Sequence, residues 1–275
     1  MKALISVDME GISGLVHSSE TNPERYDYQR GRELMTAEAN AVIAGVLDAE
    51  PTADVLVADA HGTFRNLLPE QLDRRARLVR GKPRALNMLA GLDEETDAAL
   101  FVGYHVRAGE GPGVLAHTMN GEILDVRVAG RSLGEIGLNA AMAGHLGVPV
   151  VLLSGDDAAC AEAAALIPEA VTVPVKEALG MAAAVTLHPE EARDRLRRAA
   201  ADAVSRRQEI PPLSLTGPLD VEVDLASPHT IDLATLIPGV SRTAGARTVA
   251  FAAPDYGTAY RLILLLAQLA TIRPA

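Results

Sequence analysis

Short apolar runs that stop abruptly at acidic or imidazole side chains, each followed by a helical pattern, constrain this chain more than any other feature. The runs over residues 3–7, 54–58 and 98–102 end at Asp8-Met9-Glu10-Gly11, Asp59-Ala60-His61-Gly62 and Gly103-Tyr104-His105. Such alternation fits a largely parallel sheet, because parallel neighbours need a crossover and the crossover helices cover the faces of the sheet. The first crossover is read at residues 26–47, where Leu34, Ala37, Ala41 and Val42 recur at helical spacing. Residues 122–128 alternate like an exposed strand, and a helix over about 133–146 follows, capped by Gly147. Residues 148–153 read as a strongly apolar strand, Gly155-Asp156-Asp157 as a turn, and residues 158–166 as a helix ended before Pro168.

The expected fold class is therefore α/β, a mainly parallel sheet flanked by helices, with a smaller C-terminal α+β domain. Residues 1–180 form the expected metal-binding catalytic domain and residues 181–275 the smaller one. A charged helix over 189–207, with Ala192, Leu196, Ala199 and Ala203 on one face, and the break at Pro211-Pro212 are assigned to the inter-domain region. Strand 220–226, helix 231–236, strand 248–252 and helix 256–272 complete the second unit.

At 275 residues the chain is long enough to bury a full core. Its formal net charge of −11 lacks the basic surface that phosphate backbones require and disfavours an anionic membrane, so neither nucleic acid nor membrane is an expected partner. The single Cys160 cannot form an intrachain disulfide and is assigned to core packing. Asp8 and Glu10 interrupt the first apolar run before a signal-peptide pattern can accumulate, and the late apolar run over 262–272 is broken by Gln268, short of the ~20 residues of a membrane span. A cytoplasmic location is the expectation.

In an extended segment residues i and i+2 share a face, so Asp8 and Glu10 should project together at a strand end. Ligands of open α/β sheets collect beyond the carboxyl ends of strands, and here three such ends deliver Asp8/Glu10, Asp59/His61 and His105. Carboxylates with imidazoles suit Zn²⁺ or Mn²⁺, and an Asp shared by two ions can hold them ~3.5–4 Å apart. Asp59, two residues before His61, could orient a ligand imidazole. On the residues alone, Glu135 reads as a carboxylate at a helix start and His117 as a structural histidine. Arg74, Arg75, Arg77 and the stretch 193–198 read as solvated surface, and His17, His145, His188 and His229 receive no role.

The segments taken together resemble the M55 family of zinc D-aminopeptidases. The resemblance is collinear through Ser6-Val7-Asp8-Met9-Glu10-Gly11-Ile12-Ser13-Gly14, Asp59-Ala60-His61-Gly62, Leu100-Phe101-Val102-Gly103-Tyr104-His105, Ala116-His117-Thr118-Met119, Gly134-Glu135-Ile136-Gly137-Leu138-Asn139-Ala140, Val148-Pro149-Val150 and Ser154-Gly155-Asp156-Asp157. It implies two Zn²⁺ per subunit held by Asp8, Glu10, His61, His105 and Glu135, with Asp8 as the bridge, and His117 as the catalytic histidine. It also implies assembly into rings, stacked pentamers making a decamer around an internal channel. Val106 follows His105 where alanine is common in the family, and the C-terminal part matches less closely, which bears on substrate selectivity.

The function expected from this reading is removal of amino-terminal residues from short peptides, with D-residue preference, by a two-zinc-activated water. His117 would act as general acid/base or as nucleophile. Two alternatives stay beside it: a two-metal phosphoesterase, against which the chain offers no phosphate-cradling Gly-rich loop and no obvious basic cluster beside the ligands, and a non-catalytic peptide-binding relative.

Overall fold

The computed structural model describes residues 1–243 and 245–272. In chain order the elements begin with β1 (Lys2–Val7), α1 (Ser18–Thr21), α2 (Tyr28–Ala49), β2 (Asp54–Asp59), β3 (Ala76–Val79), β4 (Ala98–Val102), β5 (Ile123–Val128) and β6 (Arg131–Ser132). There follow α3 (Glu135–His145), β7 (Val150–Asp156), α4 (Asp157–Leu166), β8 (Val171–Gly180), β9 (Ala183–Thr186) and α5 (Pro189–Ser205). The last elements are β10 (Leu219–Leu225), α6 (Pro228–Ala234), β11 (Ser241–Arg242), β12 (Thr248–Ala253) and α7 (Tyr256–Leu269).

The larger sheet has the order β3-β2-β1-β4-β7-β8-β9, parallel except for the β8–β9 hairpin. Its central strands are apolar on both faces, as strands covered by helices on two sides must be. On one face α2 packs on β1 and α5 on β7 and β8, burying Leu34, Met35, Val42, Ile43, Leu196 and Ala200 in one cluster. Gly45 lets the two helices touch: a Cβ there would lie 2.2 Å from the Arg197 carbonyl oxygen. The smaller sheet, β11-β12-β10-β5-β6, is antiparallel, and its core shares residues with the other face of the larger sheet through α3 and α7.

The mainly parallel sheet flanked by helices agrees with the sequence reading, but several details differ. A division at residue 180 does not follow the sheets: β5 and β6 pair into the smaller sheet, while β9 and α5 belong to the larger layer. The helix assigned to an inter-domain region is thus a core helix, because its Ala192, Leu196, Ala200 and Ala203 stripe fits the α2 surface. Strand β7 runs through Gly155 to Asp156, where a turn was expected, since the Asp156 side chain caps α4 directly by accepting the Ala159 N–H at 2.8 Å. The alternation of β5 marks one face buried between the layers. Strands β3, β8 and β9 had no clear apolar signal, consistent with their places at or near the sheet edges.

Candidate metal centre

The larger sheet reverses its strand order between β1 and β4, the place where a crevice opens beyond the carboxyl ends of parallel strands. The register aligns those ends, with Val7 opposite both Asp59 and Val102. The ladder extends one residue farther, the Asp8 N–H donating to the Val102 carbonyl at 2.8 Å and the Ala60 N–H to Val7. Asp8 is thereby fixed by backbone bonds. The chain then turns against β4: the Gly11 N–H donates to the Gly103 carbonyl at 2.8 Å, and a Cβ on Gly11 would stand 2.0 Å from the Tyr104 carbonyl oxygen. Gly103, at φ +70°, leaves only 2.4 Å between an added Cβ and the Asp8 carbonyl oxygen. Glycine at both positions follows from this close approach.

The five expected ligands and His117 meet there. His61 Nδ1 lies 3.0 Å from Glu10 Oε2 and 3.4 Å from Asp8 Oδ1, and its Nε2 donates to the Thr21 carbonyl at 2.9 Å. His105 Nε2 lies 3.6 Å from Asp8 Oδ2 and 3.5 Å from Glu135 Oε1. Asp8 therefore turns one carboxylate oxygen to each imidazole. Glu135, the first residue of α3, also accepts the Met119 N–H at 2.6 Å. His117 stacks on His105 with ring centroids 4.1 Å apart, and its Nε2 is 3.6 Å from Glu135 Oε1.

The donor set fits divalent cations. His105 Nδ1 donates to the Val106 carbonyl at 3.1 Å, which leaves Nε2, buried and without a hydrogen-bond partner, as the atom facing the carboxylates. Two ligand atoms each ~2.1 Å from one ion at a tetrahedral angle stand ~3.4 Å apart, which follows from zinc–ligand distances. The separations around His105 match that ligand-to-ligand edge and are long for hydrogen bonds. Donor atoms of Asp8, Glu10 and His105 form one group close enough for a shared ion, and those of His105, His117 and Glu135 form another.

The electrostatics of the cluster point the same way. Burial, and then the Glu10 charge, push the Asp8 carboxyl up to about 8. Burial alone would raise Glu10 as well, but the His61 imidazole beside it holds it well below the usual carboxylate range. Burial pulls His61 down, and the Glu10 charge with bonds to Asp8 and Glu10 outweighs it, raising the imidazole well above its ordinary value. For His105 burial is likewise outweighed by the Glu135 charge, and its value rises to about 10. Glu135 is lowered, its burial overcome by His105. Three buried carboxylates so close together demand positive charge.

Asp59 is placed differently from the sequence reading. Its carboxylate accepts the backbone N–H groups of Asn66 and Leu67 at 2.6 and 2.7 Å and the Asn66 side-chain amide at 2.7 Å, and it makes no bond to an imidazole. Strand β2 ends at Asp59, so the i, i+2 rule that would aim it with His61 no longer applies. Asn66 takes over a positioning role, its amide also donating to the His61 carbonyl at 2.6 Å.

Other contributors were not legible in the sequence. Lys176 on β8 is buried and donates to the carbonyls of Glu10, Ile12 and Leu15 at 2.5, 3.0 and 2.6 Å, clamping the loop that carries Glu10. Ser6, Tyr104, Asn139 and Tyr260 form a buried network beneath the site, with Tyr104 Oη 2.8 Å from Ser6 Oγ and Tyr260 Oη donating to Asn139 Oδ1 at 2.7 Å. A cleft of about 600 Å³ opens onto Asp8, His61, His117 and Glu135. Its walls include Phe64, Lys82, Arg84, Leu264 and Gln268, so α7 and two cations border a site for which no basic neighbour was expected. Among the described residues no helix is long and apolar enough to cross a membrane, and Cys160 is buried as expected.

Comparison with known proteins identifies the family. The profile of the peptidase M55 family, described as D-aminopeptidase, matches residues 1–265. A D-aminopeptidase of Bacillus subtilis (strain 168) is 38% identical over 270 residues, covering 98% of both chains. The solved Zn-dependent D-aminopeptidase DppA from Bacillus subtilis, a self-compartmentalizing protease, superposes with a TM-score of 0.96 at 37% identity, covering 100% of both chains. With the family profile spanning nearly its whole length and such a relative matched end to end, the chain belongs to the peptidase M55, D-aminopeptidase, family.

Proposed function

We propose that the protein is a zinc-dependent D-aminopeptidase that removes amino-terminal residues from short peptides. Asp8, Glu10, His61, His105 and Glu135 would hold two zinc ions, with Asp8 shared between them. One observation carries the assignment: the buried, unpartnered His105 Nε2 facing Asp8 and Glu135 at ligand-edge distances. The zinc dependence and the D-aminopeptidase description of the relatives support the metal and the substrate class. Zinc, when bound, supplies a Lewis acid for the scissile carbonyl and acidifies water towards a pKa of ~7.

The chain's own residues account for the rest. The free α-amine of a peptide would anchor at the floor of the cleft, where the metal-binding residues lie, which favours its first residue at the site. His117 is 28% exposed in its side chain and borders the cleft. Its Nδ1 donates to the Leu115 carbonyl at 2.9 Å, so the neutral ring presents a lone pair at Nε2, fit to take a proton and return it to the leaving amine. Phe64, Leu264 and Ala267 give the cleft apolar walls for a substrate side chain. Assembly into a compartment, a decameric ring in this reading, is supported by the relative described as self-compartmentalizing and by the apolar Leu179, Met181 and Val185, exposed by 64%, 58% and 58% on the β8–β9 hairpin.

The test is anomalous scattering at the zinc edge together with hydrolysis of D-Ala-D-Ala against its L-counterpart. Two ions among the five ligands and faster cleavage of the D-peptide are expected. A single ion would refute the two-zinc reading, and equal rates would refute the stereochemical one.

A further inference from the structure

Two cationic side chains border the same cleft as the metal-binding residues. Lys82 and Arg84 line it in the segment that follows β3, both stacked on Phe64: Lys82 Nζ is 5.6 Å and Arg84 Cζ 4.1 Å from the ring centroid. Among the described residues neither forms an ion pair with a carboxylate. Arg84 donates to the carbonyls of Asp59 and Val79 at 2.6 and 3.2 Å, and its Nε–H is buried without a partner. Some guanidinium groups of the chain do meet carboxylates: Arg127 meets Asp125, Glu222 and Asp224, Arg77 meets Asp54, and Arg197 meets Asp48. Two cations without carboxylates bordering one cleft are a recognition surface for an anion.

A peptide bound by its amine carries one anion at a fixed place, its free C-terminal carboxylate. Each residue spans at most ~3.6 Å, so only a short peptide keeps that carboxylate inside a cavity of about 600 Å³ while its amine meets the floor. We propose that Lys82 and Arg84 form a carboxylate subsite that binds the C-terminus of di- and tripeptides and so selects substrates by length. This rests on the peptidase reading for the nature of the substrate, and it names what that reading leaves open. Arg84 supplies the guanidinium, held in place by Phe64 and the two carbonyls. Lys82 is exposed and adds a second charge from the rim.

The experiment compares D-Ala-D-Ala with its C-terminal amide on the zinc-loaded protein and on Lys82→Ala. Affinity is read as KM where the peptide is cut and as a calorimetric Kd where it is not. In the parent the amide should bind roughly tenfold or more weakly than the acid, the size of a charge-assisted contact. Lys82→Ala should weaken the acid several-fold, leave the amide unchanged, and keep kcat for both, because the contact is the same in ground and transition states. Cleavage of acid and amide with equal KM overturns the subsite and leaves the peptidase reading intact, as does a Lys82→Ala effect of equal size on both peptides. Absence of cleavage combined with acid-selective binding that Lys82→Ala abolishes would support the subsite and overturn the peptidase reading. Because Lys82 lies at the surface, its substitution does not threaten folding, and Arg84→Gln, expected to reduce the acid–amide difference further, provides the second variant.

Discussion

Glu38 offers a direct test of how the fold beneath the site is held. It lies in the middle of α2, nearly fully buried under the loop that follows Glu10. Its Oε1 accepts the Ser13 N–H at 2.8 Å and its Oε2 has no hydrogen-bond partner. Burial pushes the carboxyl from 4.5 up to about 7, against the opposing pull of the Ser13 N–H and the Lys176 charge. A carboxyl whose folded value is raised contributes stability that is full below about pH 4.5 and is lost as pH rises through about 7. At about 1.4 kcal/mol per pH unit, the loss between about pH 5 and pH 8.5 is about 2–3 kcal/mol. Glu38→Gln keeps the acceptor for Ser13 and removes the titration. The amide N–H group that replaces Oε2 adds an offset that does not depend on pH. Urea unfolding of parent and variant at the two pH values should therefore show the variant gaining about 2–3 kcal/mol on the parent towards high pH. An offset equal at both would refute the buried, raised carboxyl.

His117→Ala should keep the zinc content of the parent while turnover falls by roughly 10²–10⁴-fold, measured on a D-dipeptide with metal analysis; unchanged turnover would remove His117 from proton transfer. Lys176→Met deprives three buried carbonyls of their donor at about 1–3 kcal/mol each, offset by release of a buried ammonium that burial has pulled down to about 8, so a net loss of about 2 kcal/mol is expected in urea unfolding. A variant as stable as the parent would mean that the loop does not depend on this clamp. Sedimentation should give a particle many subunits in size, and Met181→Asp on the β8–β9 hairpin should dissociate it; a monomeric parent would refute assembly.

The sequence by itself determined the elements whose signals are local. Apolar runs closed by Asp8, Asp59 and Gly103 mark buried parallel strands, since strands covered on both faces must be apolar throughout and must end where water or a ligand begins. It also carried the site residues: Asp8, Glu10, His61, His105, His117 and Glu135 stand in motifs, and the resemblance gathered them before any coordinates did. Tertiary structure alone decided the rest, because the remaining interactions join residues far apart in the chain. The 189–205 helix has a stripe that any neighbour could cover, and only packing against Gly45 chose α2. Asp59 looked like a partner for His61 until the end of β2 turned its carboxylate to Asn66 and Leu67. Lys176 clamps carbonyls more than 160 positions away, and Lys82 with Arg84 meets α7 across one cleft. A periodic pattern encodes which face is buried; what that face, or a lone charge, comes to rest against is settled by the order in which the strands assemble.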